Sequence, residues 1–171
     1  RYLQYKLENK QPELESMEFV PYYEGFKGTV VPLDNKYLIK GVYQTTGNDQ
    51  IIITELPIGT WTMNYLTFLE ELCDGKNKKK SDGSVRDFTN MSTEVLVHIT
   101  IQFSRGKLTE LESDIDKVTG LNGVEKLLKL STTIGISNMN MFNSNIQLHK
   151  YKNVQEVINA FYDVRMDMYK K

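Results

Sequence analysis

The sequence predicts an α+β fold: a mostly antiparallel sheet with helices packed chiefly on one face, ending in a long C-terminal helix. Three stretches carry this expectation. Val95, Val97, Ile99, Ile101 and Phe103 alternate with Glu94, His98, Thr100 and Gln102, with Leu96 the one exception, so one face of a strand is apolar and the other wet. Such a strand suits an antiparallel sheet covered on one side, and burying those five side chains would contribute about 1.5–3 kcal/mol each. Ile51, Ile52 and Ile53 suit a strand covered on both faces, which Pro57 ends because it has no N–H to donate. Asn153 and Glu156 spell a capping box ahead of Val154, Val157, Ile158, Phe161, Val164 and Met168 at helical spacing.

The remaining elements follow in order. Residues 1–10 read as the end of a helix, and residues 11–24, with Glu13, Glu15 and Glu18 between Pro12 and Pro21, as an acidic connector. Phe26–Leu33, Tyr37–Thr45 and Gln50–Leu56 read as strands joined by turns at Asp34-Asn35-Lys36 and Gly47-Asn48-Asp49, an antiparallel meander. Thr60 is placed to cap a helix over Trp61–Cys73 whose apolar positions are Trp61, Tyr65, Leu69 and Leu72. A Lys/Gly/Ser/Asp loop follows from Lys76 to Gly83. Beyond the alternating strand, a short helix carries Leu108, Leu111 and Ile115, and Asn122 with Glu125 forms a capping box before Leu127, Leu128 and Leu130. Residues 131–137 and 145–151 read as short strands. The expected division is 1–24 as a helix end and connector, 25–152 as the α+β domain and 153–171 as the start of a long helix.

Composition bounds the function. The chain has 171 residues, 40% hydrophobic and 25% charged, with one cysteine and a net charge of −1. No apolar run approaches the 18 residues of a membrane span, so no membrane partner is expected. Cys73 alone cannot form an internal disulfide and suits a reducing, intracellular compartment. The Asn90-Met91-Ser92 sequon then reads as chance. Free-standing duplex-DNA binders are usually basic, so the charge argues against an autonomous DNA-binding module while leaving room for auxiliary contact. The chain opens on Arg1 inside a helix-like run and closes on Lys170-Lys171 without a cap, which reads as a piece of something longer.

Little in the chain spells catalysis. Cys73 with His98 or His149 lacks any signal for an activated thiolate. Asp114 to Glu125 spaces carboxylates like a calcium loop, but Val118 stands at position 5 and glycine at 7 instead of 6. Asn122 capping explains the same residues without metal. There is no P-loop, dinucleotide fingerprint, zinc-spaced set or nucleophile elbow. Hence no catalytic residue, no metal ligand and no bound cofactor is expected in this chain. The basic cluster Lys76, Lys78, Lys79 and Lys80 is by default a solvated loop, and its functional alternative is phosphate contact by flexible point charges. Lys27 and Arg86 are further candidates.

Five segments in order resemble one family. Ile53-Thr54-Glu55-Leu56-Pro57-Ile58-Gly59-Thr60-Trp61-Thr62, Gly25-Phe26-Lys27-Gly28-Thr29-Val30, Lys129-Leu130-Ser131-Thr132-Thr133 with Asn138-Met139 and Phe142, Lys150-Tyr151 with Val154-Gln155-Glu156-Val157-Ile158, and Phe161-Tyr162-Asp163-Val164-Arg165 are similar to the type IIA DNA topoisomerases of eukaryotes and their large DNA viruses. The likeness runs from about Gly25 to Lys171. It implies the tower of the breakage-reunion core, between a winged-helix domain and the coiled-coil arms of the exit gate. The implied parent passes one duplex through a transient break in another, as a homodimer using ATP and Mg2+. Its catalytic tyrosine and metal-binding acids would lie upstream, so Tyr2, Tyr5, Tyr22 and Tyr23 are not read as catalytic. Double-stranded DNA and the rest of the topoisomerase chain are the implied partners, with Lys27, Lys76, Lys78, Lys79, Lys80 and Arg86 as auxiliary DNA contacts. The implied location is the nucleus, or the host nucleus or cytoplasm for a virus. One departure stands out: Gly59 occupies a place where relatives often carry arginine. The competing expectation is a protein-interaction or scaffold domain that never meets nucleic acid.

Overall fold

Residues 37–45 form two strands where the sequence suggested one. In the computed structural model, which describes residues 1–74 and 83–171, β2 (Lys36–Lys40) and β3 (Val42–Thr45) join different sheets. The break falls at Gly41, whose N–H is given to the Leu130 carbonyl at 2.9 Å. A Cβ there would collide with the Glu55 carbonyl oxygen. The order in the first sheet is β1 (Thr29–Leu33), β2, β7 (Ser131–Gly135). In the second it is β3, β4 (Gln50–Glu55), β6 (Ile99–Phe103), β5 (Val85–Asn90), antiparallel throughout. A third pairing, β8 (Asn140–Phe142) with β9 (Leu148–Lys150), is an antiparallel hairpin. The expected 145–151 strand is thus reduced to β9 and acquires a partner that the sequence pattern did not reveal.

The second sheet carries the main core. Ile51 opposes Ile101 and Ile53 opposes Ile99, and all four are fully buried. Phe103 extends the same face, against which pack α3 (Thr62–Cys73) through Tyr65, Leu69 and Leu72, α4 (Lys107–Ser113) through Leu108, and α5 (Gly123–Leu127) through Val124 and the adjoining Leu128. The opposite face pairs Gln50 with Gln102 and Ile52 with Thr100, all half-buried, so the strand through Ile51 to Ile53 is covered fully on one face and not on both as its sequence suggested. The α+β class, with helices gathered on one face of an antiparallel sheet and a C-terminal helix α6 (Val154–Lys170), therefore holds.

Two expected core residues are not in it. Val95 is 87% exposed, because β6 begins only at Ile99 and residues 93–96 form a tight turn. There Thr93 N–H reaches the Leu96 carbonyl at 2.8 Å while Leu96 N–H is given to Thr93 Oγ1 at 3.1 Å. The alternation ran on through a turn. Trp61 is 76% exposed. It is the N-cap residue of α3 with extended backbone (φ −79°, ψ 133°), and no side-chain cap from Thr60 is formed. A residue outside the helix does not obey helical spacing. Ile115 also lies exposed, beyond α4, in a single bridge to Asn122.

By contact, the chain divides into two units. One comprises 1–22, 32–37 and 135–171, and the other 23–31 and 38–134. The first holds α1 (Tyr2–Leu7), α2 (Gln11–Glu15), the hairpin and α6. Within it, Lys6 Nζ donates to Asn159 Oδ1 at 2.7 Å and lies 4.4 Å from the centre of the Tyr162 ring, and Tyr2 meets Phe19 edge-on. The second holds the main core. Its Asn122–Glu125 capping box is complete, with Glu125 N–H on Asn122 Oδ1 at 2.8 Å and Asn122 N–H on Glu125 Oε2 at 3.0 Å. The box expected at Asn153 forms by half: Asn153 accepts from Glu156 N–H, but the Glu156 carboxylate takes Lys152 N–H instead of that of Asn153.

Candidate nucleic-acid interface

Of the expected DNA contacts, Lys27 and Arg86 fall on the second unit. Lys27 is exposed, but in the loop that precedes β1 and not in a strand. Gly28 beside it keeps this loop tight: a Cβ there would strike the Phe26 ring and the Lys40 carbonyl oxygen. Arg86 is exposed on β5, the edge strand of the four-stranded sheet. Lys76, Lys78, Lys79 and Lys80 lie outside the described residues, in the segment between α3 and β5. In sequence, then, the lysine run leads directly toward Arg86.

The same unit contains a groove of about 570 Å³ that no sequence argument singled out. Its lining includes Trp61, the N-cap residue of α3, Phe68 within α3, and Lys126, Lys129 and Ser131. Its entrance turn is closed by Thr60 N–H on the Pro57 carbonyl at 3.0 Å, with Gly59 third in the turn at φ 88°. That position of a type II turn needs positive φ, which explains a glycine there. Space is open around its Cβ position, so a side chain there meets backbone strain before any clash at its first carbon. Lys129 too is left-handed, at φ 49°. It stands at C′ of α5, where Leu130 N–H returns to the Glu125 carbonyl at 2.9 Å and Lys129 N–H to that of Lys126 at 3.3 Å, a Schellman ending. Lys129 Nζ sits 4.1 Å from the centre of the Phe68 ring, a cation–π contact. Lys126 is paired with Asp116 at 3.3 Å, and Glu125 is occupied by Lys40 at 3.1 Å. The sequence did hold a signal for this groove, since Lys129 and Trp61 both lie in resembling segments, but their packing could not be read there.

No three His, Cys, Asp or Glu side chains among the described residues come together as a metal site would require. Asp116, at position 3 of the calcium-like spacing, instead accepts Val118 N–H at 2.9 Å and the Thr119 hydroxyl at 3.0 Å. These bonds, with Lys126 behind them, hold its carboxyl below the usual range. Burial, with Asp87 and Asp74 nearby, pushes the Cys73 thiol up, away from thiolate reactivity. Tyr65 is buried with its hydroxyl on the Leu128 carbonyl at 2.8 Å.

Comparison with known proteins decides the family. The family model that describes the A subunit of DNA gyrase/topoisomerase IV matches residues 1–171. The chain belongs to the type IIA DNA topoisomerase family. Among curated topoisomerases, DNA topoisomerase 2 of Bombyx mori is 37% identical over 87% of the chain and 9% of its own length. The mitochondrial DNA topoisomerase 2 of Dictyostelium discoideum is 34% identical over 95% of the chain and 11% of its own length. The crystal structure of the Plasmodium falciparum topoisomerase II DNA-binding, cleavage and re-ligation domain superposes with a TM-score of 0.77 at 28% identity, covering 96% of this chain and 21% of that one. This topoisomerase chain therefore spans about a tenth of the length of these curated relatives, of the eukaryotic type.

Proposed function

We propose that this chain serves as the tower of an ATP- and Mg2+-dependent type IIA topoisomerase that passes one duplex through a transient double-strand break in another. In this reading the chain is non-catalytic. It supports the gate duplex by sequence-independent phosphate contacts from Lys27, Arg86 and the run Lys76, Lys78, Lys79 and Lys80, while the cleaving tyrosine and the metal-binding acids are supplied by other parts of a homodimeric parent. The observation that carries it is the family match across the whole chain, together with the likeness to a Plasmodium falciparum domain described as DNA-binding, cleavage and re-ligation. Exposed Arg86 on an edge strand, soon after the lysine run, adds support. A nuclear location, or host nucleus or cytoplasm for a viral source, belongs to the same proposal.

The reading is tested with the full-length enzyme carrying Lys78→Ala, Lys79→Ala and Lys80→Ala. Removing one phosphate contact lowers the slope of log affinity against log salt by about 0.9. Long duplexes should bind more weakly with a shallower slope, and short duplexes confined to the cleavage centre should be unaffected. Equal weakening for both lengths, or an unchanged slope, would return these lysines to the solvated-loop reading. The net charge of −1 favours, as second reading, a scaffold domain that does not touch nucleic acid, and an unchanged slope for long DNA is its signature.

A further inference from the structure

We propose that the groove between α3 and the α5–β7 connection binds an unpaired nucleotide, its base stacked on the Trp61 indole and its phosphate held by the Lys129 ammonium. Among the described duplex contacts proposed above, neither Lys27 nor Arg86 lines this groove.

Four observations converge. Trp61 is left 76% exposed at the groove although the core of the same unit lies directly behind α3. A broad apolar ring with one face in water is what a base stacks on. Lys129 occupies a left-handed C′ position where glycine is the usual residue. Backbone strain of that kind persists at binding sites, where the side chain's placement is what is retained. Its ammonium is fixed against Phe68 at 4.1 Å, yet among the described residues no carboxylate pairs with it, unlike Lys126 on Asp116 and Lys40 on Glu125. Finally, of Glu125, Lys126 and Lys129, the charged side chains that line the groove among the described residues, Glu125 and Lys126 are already paired, with Lys40 and Asp116, which leaves Lys129 to meet a ligand. Asn64, Ser131 and Thr132 add to the lining groups able to meet a base edge.

The occupant follows from this chemistry. One exposed aromatic face beside a cation that no described carboxylate neutralises matches a base and its phosphate, and about 570 Å³ suits a ligand of nucleotide size. A paired base is closed to the indole because its faces are already stacked. The ligand is therefore unpaired nucleic acid or a free nucleotide, which share this chemistry.

Trp61 is the single tryptophan of the chain, so its fluorescence reports the groove directly. The chain is titrated with an oligodeoxyadenylate of about eight nucleotides, with dAMP, and with a closed-ended duplex matched in nucleotides. Saturable quenching by the oligomer, absent with the closed duplex, is the expected result. If dAMP saturates as tightly, the natural ligand is the free nucleotide. If it binds more weakly, the ligand is a single strand. Lys129→Gln should weaken binding about tenfold, the scale of losing one charge-assisted hydrogen bond, and lower the salt slope by about 0.7. Lys129→Gly should weaken it equally while leaving Tm unchanged or raised, because glycine relieves the strain. A merely structural lysine would not separate affinity from stability in this way. No quenching by either ligand, equal quenching by the closed duplex, tighter binding of an acidic aromatic peptide, or full affinity in both Lys129 variants would overturn the proposal.

Discussion

The Tyr65 hydroxyl joins two helical elements: it donates to the Leu128 carbonyl at 2.8 Å from a ring that is 3% exposed. Burial pushes its pKa well above the ordinary value of 10.0. Above that value the unfolded chain loses its proton while the folded chain keeps it, so this contribution to stability is complete below pH 10 and is lost as pH climbs beyond. Tyr65→Phe should cost about 1–3 kcal/mol at neutral pH, since the Leu128 carbonyl loses its partner. It should also lose less stability than the parent between about pH 9 and 11. Urea unfolding at both ends of that range measures this, and parallel losses would refute the assignment. Gly59 makes a different point at the same scale. Its positive φ, third in the Pro57–Thr60 turn, gives a local reason for glycine at this place beside the groove.

Among the elements, α5 is only five residues long, too short to stand by itself. Asn122 secures it at one end, closing the capping box and also donating to the Tyr43 hydroxyl at 2.6 Å. The Lys40–Glu125 pair in its first turn is well shielded, with side-chain exposures of 17% and 13%. Asn153 caps α6 through one bond in place of two reciprocal ones, in exposed surroundings. Asn122→Ala should therefore destabilise by about 1–2 kcal/mol, the upper end of cap losses, and Asn153→Ala by no more than about 1 kcal/mol. Paired denaturation midpoints decide it, and a larger effect at Asn153 would contradict the argument. Loss of Asn122 should also loosen Lys129, because the Schellman ending and the capping box share Glu125.

For the whole molecule, the two units differ in how much they bury. The 23–31 and 38–134 unit contains Ile51, Ile53, Leu69, Ile99, Ile101, Val124 and Leu128, none measurably exposed, whereas α6 in the other unit has no buried residue and shows Phe161, Met168 and Tyr169 to solvent. Amide exchange rates follow local burial and contact density. For the isolated chain, the amides of β4 and β6 should exchange at the global unfolding limit and those of α1 and α6 at least about tenfold faster. Uniform protection measured by mass spectrometry would contradict that difference. A partner that covers the Phe161 and Met168 face should slow α6 selectively.

Much of this was legible in the sequence. Ile51 to Ile53 ending before Pro57, the strand through Ile99 and Phe103, the Asn122 cap and the start of α6 each depend on side chains within a few residues of one another. The family too was legible, because short segments in fixed order need no coordinates. Tertiary structure alone decided the split at Gly41, which depends on the Glu55 and Leu130 carbonyls far along the chain. It decided as well that Val95 belongs to a turn and that Trp61 faces outward, since periodicity does not announce where an element begins. The groove was the least legible feature: Trp61 and Phe68 at α3 and Lys129 after α5 lie some sixty residues apart, and only the packing of α3 against α5 makes them one surface. A sequence encodes such a meeting as a sum of many weak contacts, and no local pattern stands for that sum.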